Sequence, residues 1–299
     1  MAGFTPTTLF LGLALALPAP AAAEDAPFVD WTSRLAALPG SYEPSSSDDC
    51  VAGRVQCVDG VIREMEKRFK PLVESCSHDA IFDLAYLRTT QEYRRTIEDP
   101  DFFEDAEFVN HEDVVFAGYC FTAFDDWHKG DGINTPPAWR IAFQAAANRE
   151  MPASGNLAVG VNAHIQRDLP FVLADIGLVK PDGSTRKTDH DRVNVFLNRV
   201  TDGLIAEIAA RFDPTIDDDD LPTMVDDVVT FEVIASWREI AWRNAERLVN
   251  APTPEARALV AADIEAYAAS QAQALRDLSR YPQGRSSAER DAYCDAHND

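Results

Sequence analysis

The sequence predicts an all-α protein, a single-domain multi-helix bundle with a short irregular N-terminal arm. From about residue 58 onward, apolar residues recur three and four positions apart, which is the period of one helix face. Prolines fall between these periodic segments, and alternating β-branched segments bounded by turns are scarce. The pattern predicts helices near residues 58–70, 77–97, 111–128, 137–149, 155–178, 189–212, 222–250 and 254–280. Thr253 followed by Pro254 is a typical helix start.

Residues 1–23 have the pattern of a secretory signal peptide. An apolar run from Leu9 to Leu17 is followed by prolines and by small residues that end at Ala23. The run is too short to cross a bilayer, which needs about 20 apolar residues. We expect cleavage after Ala23 and a periplasmic or secreted mature chain. Its expected parts are an irregular arm over residues 24–57, a helical domain over 58–282 and a C-terminal tail over 283–299.

The charge of the chain restricts its partners. The formal net charge is -23 at pH 7, and such an acidic surface repels nucleic acid and anionic lipid headgroups. We therefore expect no nucleic-acid partner and no stable membrane insertion. A small-molecule or lipid-like substrate is compatible with this charge, and no feature of the sequence specifies an oligomeric state.

Five cysteines in a chain with an export signal permit disulfides. Their odd number leaves one thiol unpaired, and Cys120, within the apolar segment VVFAGYCFTAF, is the natural free and buried thiol. Cys50 and Cys57 flank a small loop and form a plausible pair, which would leave Cys76 to join Cys294. Spacing alone does not define this connectivity, so other pairings stay open.

The segment NLAVGVNAHIQRDLPFVLADIG, residues 156–177, carries the main functional hypothesis. On a helical wheel, His164 and Asp168 fall inside an apolar stripe, so we expect both side chains to be at least partly buried. A buried imidazole or carboxylate needs a partner, because leaving it unpaired costs several kcal/mol. The spacing of four places the two side chains one turn apart. They could ligate one metal ion, act as an acid–base pair or form a structural bridge between helices.

Residues on later helices could complete such a site. Asp191 or His190 could join His164 and Asp168 around a divalent metal, zinc first, which would lower the pKa of bound water toward about 7. Arg238 could clamp an anionic group of a substrate, or form a structural salt bridge. The expected pocket residues are Asn162, Asn194, Tyr119, Phe171, Trp237 and Trp242. Alternatively, Asn194 lies on a solvated helix face. The two tryptophans could instead be core residues.

Three functions follow from these alternatives. The first is a metal-dependent hydrolase, and the second is a non-catalytic binding or scaffold protein with a structural His–Asp bridge. The third is metal-free acid–base catalysis on a small apolar molecule in a helical pocket. The sequence contains no G-x-S-x-G elbow, Walker loop, H-E-x-x-H or strand-flanked G-x-G-x-x-G, which disfavours Ser or Cys hydrolases and nucleotide enzymes.

Several motifs resemble a bacterial family known as domain of unknown function 5995. They are VGVNAHIQRDLP at 159–170, D-x-x-x-V-N at 189–194, S-W-x-x-x-x-W at 236–242, AIFDLAYLRTT at 80–90, FAGYCFTAF at 116–124, and Trp139. The resemblance covers roughly residues 60–250 and implies a helical single domain without implying an activity.

A fainter similarity is to the helical zinc-dependent phospholipase C and S1/P1 nuclease group. That group also carries an H-x-x-x-D pair on a buried helix, followed closely by proline. The resemblance implies a metal site built from several histidines, and at most a reduced site with His164, Asp168 and one or two others. The histidines available are His78, His111, His128, His164, His190 and His297.

Overall fold

A computed structural model describes residues 42–217 and 227–298 of the chain. The predicted signal peptide and most of the predicted arm lie outside these residues, so export stays a prediction. Within them, an isolated antiparallel bridge between Val179 and Thr185 is the only β-type pairing. The all-α class is therefore confirmed.

Ten α-helices, a π-helical turn and a short 3-10 turn make up the described fold. The helices are α1 (Val55–Glu74), α2 (Ala80–Thr96), α3 (Ala106–Lys129), α4 (Pro137–Ala147), α5 (Ala153–Asn162), α6 (Leu169–Ile176), α7 (Lys187–Arg211), α8 (Asp227–Val249), α9 (Pro254–Ser279) and α10 (Ala288–His297). The π-helical turn spans Ala163–Asp168, and the 3-10 turn spans Pro214–Asp217.

Local capping explains where several helices begin and end. The Thr253 hydroxyl accepts a hydrogen bond from the Ala256 amide at 3.1 Å, which confirms the predicted start of α9. At α3, Asp105 caps the helix in the same way, so α3 begins five residues before the predicted start at 111. Gly177 ends α6 with a φ of 96°, which a glycine adopts without steric cost.

The helix predicted over residues 155–178 is divided into α5, the π-helical turn and α6. Pro170 has no amide hydrogen, so it cannot donate the usual bond to the carbonyl of Gln166. The wide π-helical turn, with bonds five residues apart, lies just before this proline. Its extra residue changes the direction in which the following side chains point, and a wheel drawn for a regular helix does not include this shift.

The π-helical turn lies at the centre of the bundle. It contacts α3, α4, α5, α6, α8 and α9, while α2 packs against α1, α5 and α7. Gly160 on α5 permits close packing against α2, because a Cβ at this position would lie 2.6 Å from the Phe82 ring. Within the described residues, no helix has the length and apolar composition of a membrane span.

Two disulfides attach the ends of the described chain to the bundle. Cys50 is bonded to Cys57 and Cys76 to Cys294, while Cys120 is a buried free thiol. These are the two pairs that the sequence made plausible, Cys50–Cys57 and Cys76–Cys294. The predicted tail, residues 283–299, contains α10, which the Cys76–Cys294 bond and the buried Arg290 hold against the bundle.

We predict that the long-range disulfide contributes more to stability than the short one. Cys76 and Cys294 are 218 residues apart in sequence, whereas Cys50 and Cys57 are 7 apart. A longer loop loses more chain entropy in the unfolded state when it is closed, so a Cys76→Ala/Cys294→Ala protein should lose about 2–5 kcal/mol. Urea unfolding measures this loss. The Cys50→Ala/Cys57→Ala protein is the matched control, and an equal or larger loss there would contradict the prediction.

Candidate functional site

His164 and Asp168 are both buried inside the bundle, as the helical wheel predicts. Their exposed fractions are 5% and 0%. The Nδ1 atom of His164 lies 3.6 Å from Oδ2 of Asp168, which is too long for a hydrogen bond. The two residues therefore have different surroundings, although they are one turn apart.

Asp168 belongs to a buried network of structural hydrogen bonds. Its Oδ2 accepts from Nε1 of Trp139 on α4 at 2.9 Å, and its Oδ1 accepts from Arg167 at 2.9 Å. Arg167 in turn donates to Glu265 on α9 at 2.8 Å. We name Trp139, Arg167, Asp168 and Glu265 the central network. It joins the π-helical turn to α4 and α9, so Asp168 has the role of a helix-connecting residue.

His164 lies among aromatic rings rather than among polar partners. Its ring stacks on Phe116 with centroids 3.6 Å apart and planes 7° apart, and the Tyr86 ring centroid is 4.2 Å away. Neither ring nitrogen has a hydrogen-bond partner among the described residues. Burial lowers the pKa of His164 below the ordinary histidine value, so the imidazole is neutral at pH 7.

A cavity of about 770 Å³ lies beside His164. Its walls come from α2, α3, α5, α7, α8 and α9, and most of the side chains are apolar. Phe82, Val161 and Ile165 line the cavity together with His164. Phe196 and Leu275, which come later in the sequence, also line it. The polar side chains are a minority of the wall, and they are the groups that can form hydrogen bonds or carry charge in the cavity.

Four side chains on the wall have buried polar atoms without a hydrogen-bond partner among the described residues. The atoms are Oη of Tyr86, Oδ2 of Asp113, both ring nitrogens of His164 and Nε of Arg238. Buried polar atoms are nearly always hydrogen-bonded in folded proteins. Four side chains with such atoms lie together on the wall of this cavity.

Arg238 brings a positive charge to this wall. It is 5% exposed, and its Nη2 donates to the backbone oxygen of His190 at 2.7 Å. Burial lowers the pKa of Arg238 to about 10, so the guanidinium is still charged at neutral pH. Among the residues that the structure describes, no carboxylate lies within ion-pair distance of it. The charges of Glu112 and Asp191 raise the pKa of Arg238 from longer distances.

Two adjacent acids of α3 lie on the same wall. Burial raises the pKa of Glu112 to about 7, although Arg238 opposes this shift. Burial, with the charge of Glu112, raises the pKa of Asp113 to about 8. At neutral pH these groups are therefore largely or partly protonated, and they can donate as well as accept a hydrogen bond.

The structure places the predicted metal ligands in separate environments. His190 is buried, with Nε2 3.2 Å from the backbone oxygen of Arg238 and Nδ1 3.3 Å from its guanidinium. Asp191 is exposed and pairs with Lys187 at 2.6 Å. No group of three or more His, Cys, Asp or Glu side chains within residues 42–217 and 232–298 is arranged to hold a metal ion. Among the residues that the structure describes, the predicted ligands therefore do not come together as a metal centre.

Of the predicted pocket residues, Trp237 lines the cavity with His164 and Arg238. Tyr119 and Phe171 lie in another apolar cluster, and Trp242 packs against Ile165 and Leu169. The remaining two residues are also away from the cavity wall. Asn162 donates to the backbone oxygen of Ala268 at 2.9 Å, and the buried Oδ1 of Asn194 has no partner among the described residues.

The sequence analysis did not identify Tyr86, Glu112 or Asp113 as site residues. A signal was present, because Val109 and Phe116 are three or four residues from each acid and place both on an apolar face of α3. The same argument identified His164. For Tyr86, an aromatic residue in an apolar helix, no comparable signal exists.

The protein is an all-α, single-domain protein with an apolar cavity that opens beside a buried histidine. Comparison with known families shows which family the chain belongs to. The profile of a family of unknown function, DUF5995, matches residues 58–278, so the chain belongs to this family. The match confirms the first of the two resemblances found in the sequence. No curated protein and no solved structure matches the chain.

We predict that Asp168 stabilises the fold and that His164 does not. Asp168→Ala removes one partner of a buried ion pair and leaves Trp139 and Arg167 with unmet hydrogen bonds, which should cost about 3–5 kcal/mol. His164→Phe keeps the stacking on Phe116 and removes two unpartnered nitrogens, so it should change the free energy of unfolding by less than about 1 kcal/mol. Chemical denaturation measures both. A loss in His164→Phe as large as that in Asp168→Ala would show that the imidazole is the structural partner.

We predict that Asp113 makes stability depend on pH. Its folded pKa of about 8 exceeds the ordinary aspartate pKa of 3.8, so the folded state keeps a proton that the unfolded state has lost. This contribution to stability is present below about pH 4 and is lost as pH rises toward 8. Asp113→Asn should therefore gain about 1–3 kcal/mol relative to the parent protein between pH 5 and pH 8, since one pKa unit corresponds to about 1.4 kcal/mol.

Urea unfolding at the two pH values measures this change. Asp131→Asn, at an exposed position, is the control and should keep the pH dependence of the parent protein. Identical pH dependence in Asp113→Asn and in the parent would contradict the prediction.

Proposed function

We propose that the protein binds an apolar small molecule in the cavity and that His164 contacts the polar group of this molecule. One observation carries the proposal: a buried imidazole lines the cavity, and neither of its nitrogens has a partner among the described residues. The cavity volume of about 770 Å³ falls within the usual range of small-molecule sites. Predominantly apolar walls with a few polar groups are also typical of such sites.

Proton transfer at His164 is a second candidate function. The lowered pKa of His164 keeps the imidazole neutral and able to accept a proton. The raised pKa values of Glu112 and Asp113 provide protonated acids on the same wall at neutral pH. Groups with such perturbed pKa values concentrate at functional sites. These observations favour metal-free acid–base catalysis on a bound apolar molecule.

Metal-dependent hydrolysis has less support. Both carboxylate oxygens of Asp168 already accept hydrogen bonds from Trp139 and Arg167, and His190 and Asp191 lie apart from the His164–Asp168 pair. The similarity to zinc-dependent phospholipases would require still more ligands. Near-stoichiometric zinc in the purified protein would reverse this preference.

A purely structural role fits Asp168 but not His164. The central network connects the helices through Asp168, whereas the His164 ring stacks on Phe116 and forms no hydrogen bond with a described residue. A structural bridge and a binding residue can therefore coexist in one turn of the chain. The predicted signal peptide and the two disulfides support a periplasmic or secreted location, because disulfides persist in oxidising compartments.

Binding of the neutral fluorescent dye N-phenylnaphthylamine tests the binding proposal. The dye should bind the purified protein with a single-site, saturable rise in fluorescence. Ala158→Trp, which adds a large ring to the cavity wall, should weaken dye binding at least tenfold, while Ala174→Trp, away from the wall, controls for the added ring. Both variants must first show native circular dichroism. Absence of saturable binding to the parent protein would contradict the proposal.

The probe nitrobenzisoxazole tests proton transfer, because a base that removes its ring proton breaks the N–O bond and releases a coloured cyanophenolate. A neutral imidazole in an apolar cavity should accelerate this reaction roughly 10²–10⁴-fold over buffer. His164→Phe should abolish the acceleration, and a chelator should leave it unchanged. Acceleration that survives in His164→Phe would exclude His164 as the base.

A further inference from the structure

The charges on the cavity wall identify a chemical class of ligand, an inference that rests on the proposed binding function. Among the described residues that line the cavity, Arg238 is the only lysine or arginine. It is buried, and its guanidinium donates to His190 while Nε has no partner. A buried charge without a counter-ion is strongly disfavoured, so this position requires an anion close by.

The neighbouring acids carry only part of the negative charge that would balance Arg238. Neither Glu112 nor Asp113 forms an ion pair with Arg238 among the described contacts, and burial keeps a proton on much of this pair at neutral pH. A protonated carboxyl can instead donate a hydrogen bond to an anionic oxygen. Arg238 and these two acids are therefore complementary to a ligand group that has one negative charge and two acceptor oxygens.

The rest of the cavity suits an apolar chain. Leu197, Leu204 and Ile205 of α7 line it, together with Leu275 and Leu278 of α9. These side chains offer no hydrogen bond to a polar ligand. Burial of a hydrocarbon chain against them is favourable because it removes apolar surface from water.

We propose that the cavity binds a single-chain amphiphile whose carboxylate head contacts Arg238 and whose hydrocarbon tail lies against the apolar side chains of α7 and α9. A carboxylate matches the single positive charge of the wall. A phosphate head can carry a second negative charge, and the described cavity wall has no second lysine or arginine to pair with it. The strongly acidic surface of the protein disfavours multiply charged ligands in the same way.

Displacement of N-phenylnaphthylamine at pH 6.5, below the micelle concentration of each competitor, tests this ligand class. Dodecanoate, dodecanol, dodecylamine and dodecyl phosphate share one tail and differ in the head group. Dodecanoate should bind at least tenfold more tightly than dodecanol, which corresponds to about 1.4 kcal/mol, and more tightly than the other two. Dodecanol binding as well as dodecanoate would overturn the proposal, and so would tighter binding of dodecylamine or dodecyl phosphate.

Variants of Arg238 assign the effect to this side chain. Arg238→Gln should abolish the preference for dodecanoate over dodecanol, whereas Arg238→Lys should keep part of the preference. Arg243→Gln, on the exposed face of the same helix, is the matched control and should behave like the parent protein. An undiminished preference in a folded Arg238→Gln protein would overturn the assignment. If that variant does not fold, the head-group series on the parent protein still decides the ligand class.

The two proposals fail in different ways. If the dye does not bind the parent protein, the binding function itself is contradicted. If the dye binds but the head group has no effect, only the carboxylate ligand is contradicted.

Discussion

The fold depends on one buried set of interactions, the central network at the π-helical turn. Asp168 accepts hydrogen bonds from Trp139 and Arg167, and Arg167 continues the network to Glu265. The network satisfies the charges that the turn places in the interior, and it connects three separate parts of the chain. The imidazole of His164 lies 3.6 Å from Oδ2 of Asp168, and neither of its nitrogens has a hydrogen-bond partner among the described residues. Asp168 thus has the structural role, and the function proposed for the cavity is assigned to His164, on the same turn.

This division explains the character of the cavity. His164 is held in place by ring contacts with Phe116 and Tyr86, which fix its position without using its nitrogens. Arg238 is similarly held through His190 while part of its guanidinium is free of described partners. Rigid placement of unpartnered polar atoms lowers the entropy that the protein must lose when a ligand binds. This placement supports the proposed binding function.

Much of the fold could be predicted from the sequence, but only part of the site. Apolar periodicity and prolines located the helices, and the wheel correctly buried His164 and Asp168. The wheel describes one helix at a time, so it could not show that Asp168 would find Trp139 across the bundle. His190 and Asp191 are adjacent in sequence, but they point about 100° apart on a helix, which places one inside and the other in solvent. Glu112 and Asp113 were identifiable by the same method, whereas the contribution of Tyr86 arises only from the packing of α2 against the π-helical turn.

The central proposal is that His164 is a neutral imidazole that contacts a ligand in the cavity and is not hydrogen-bonded to Asp168. Nuclear magnetic resonance of ring-labelled histidine tests it most directly, with the His164 signal assigned by its loss in His164→Phe. We expect this signal to titrate below the ordinary histidine pKa and to shift when N-phenylnaphthylamine saturates the cavity. A signal that titrates at or above the ordinary histidine pKa and does not respond to the dye would contradict the account.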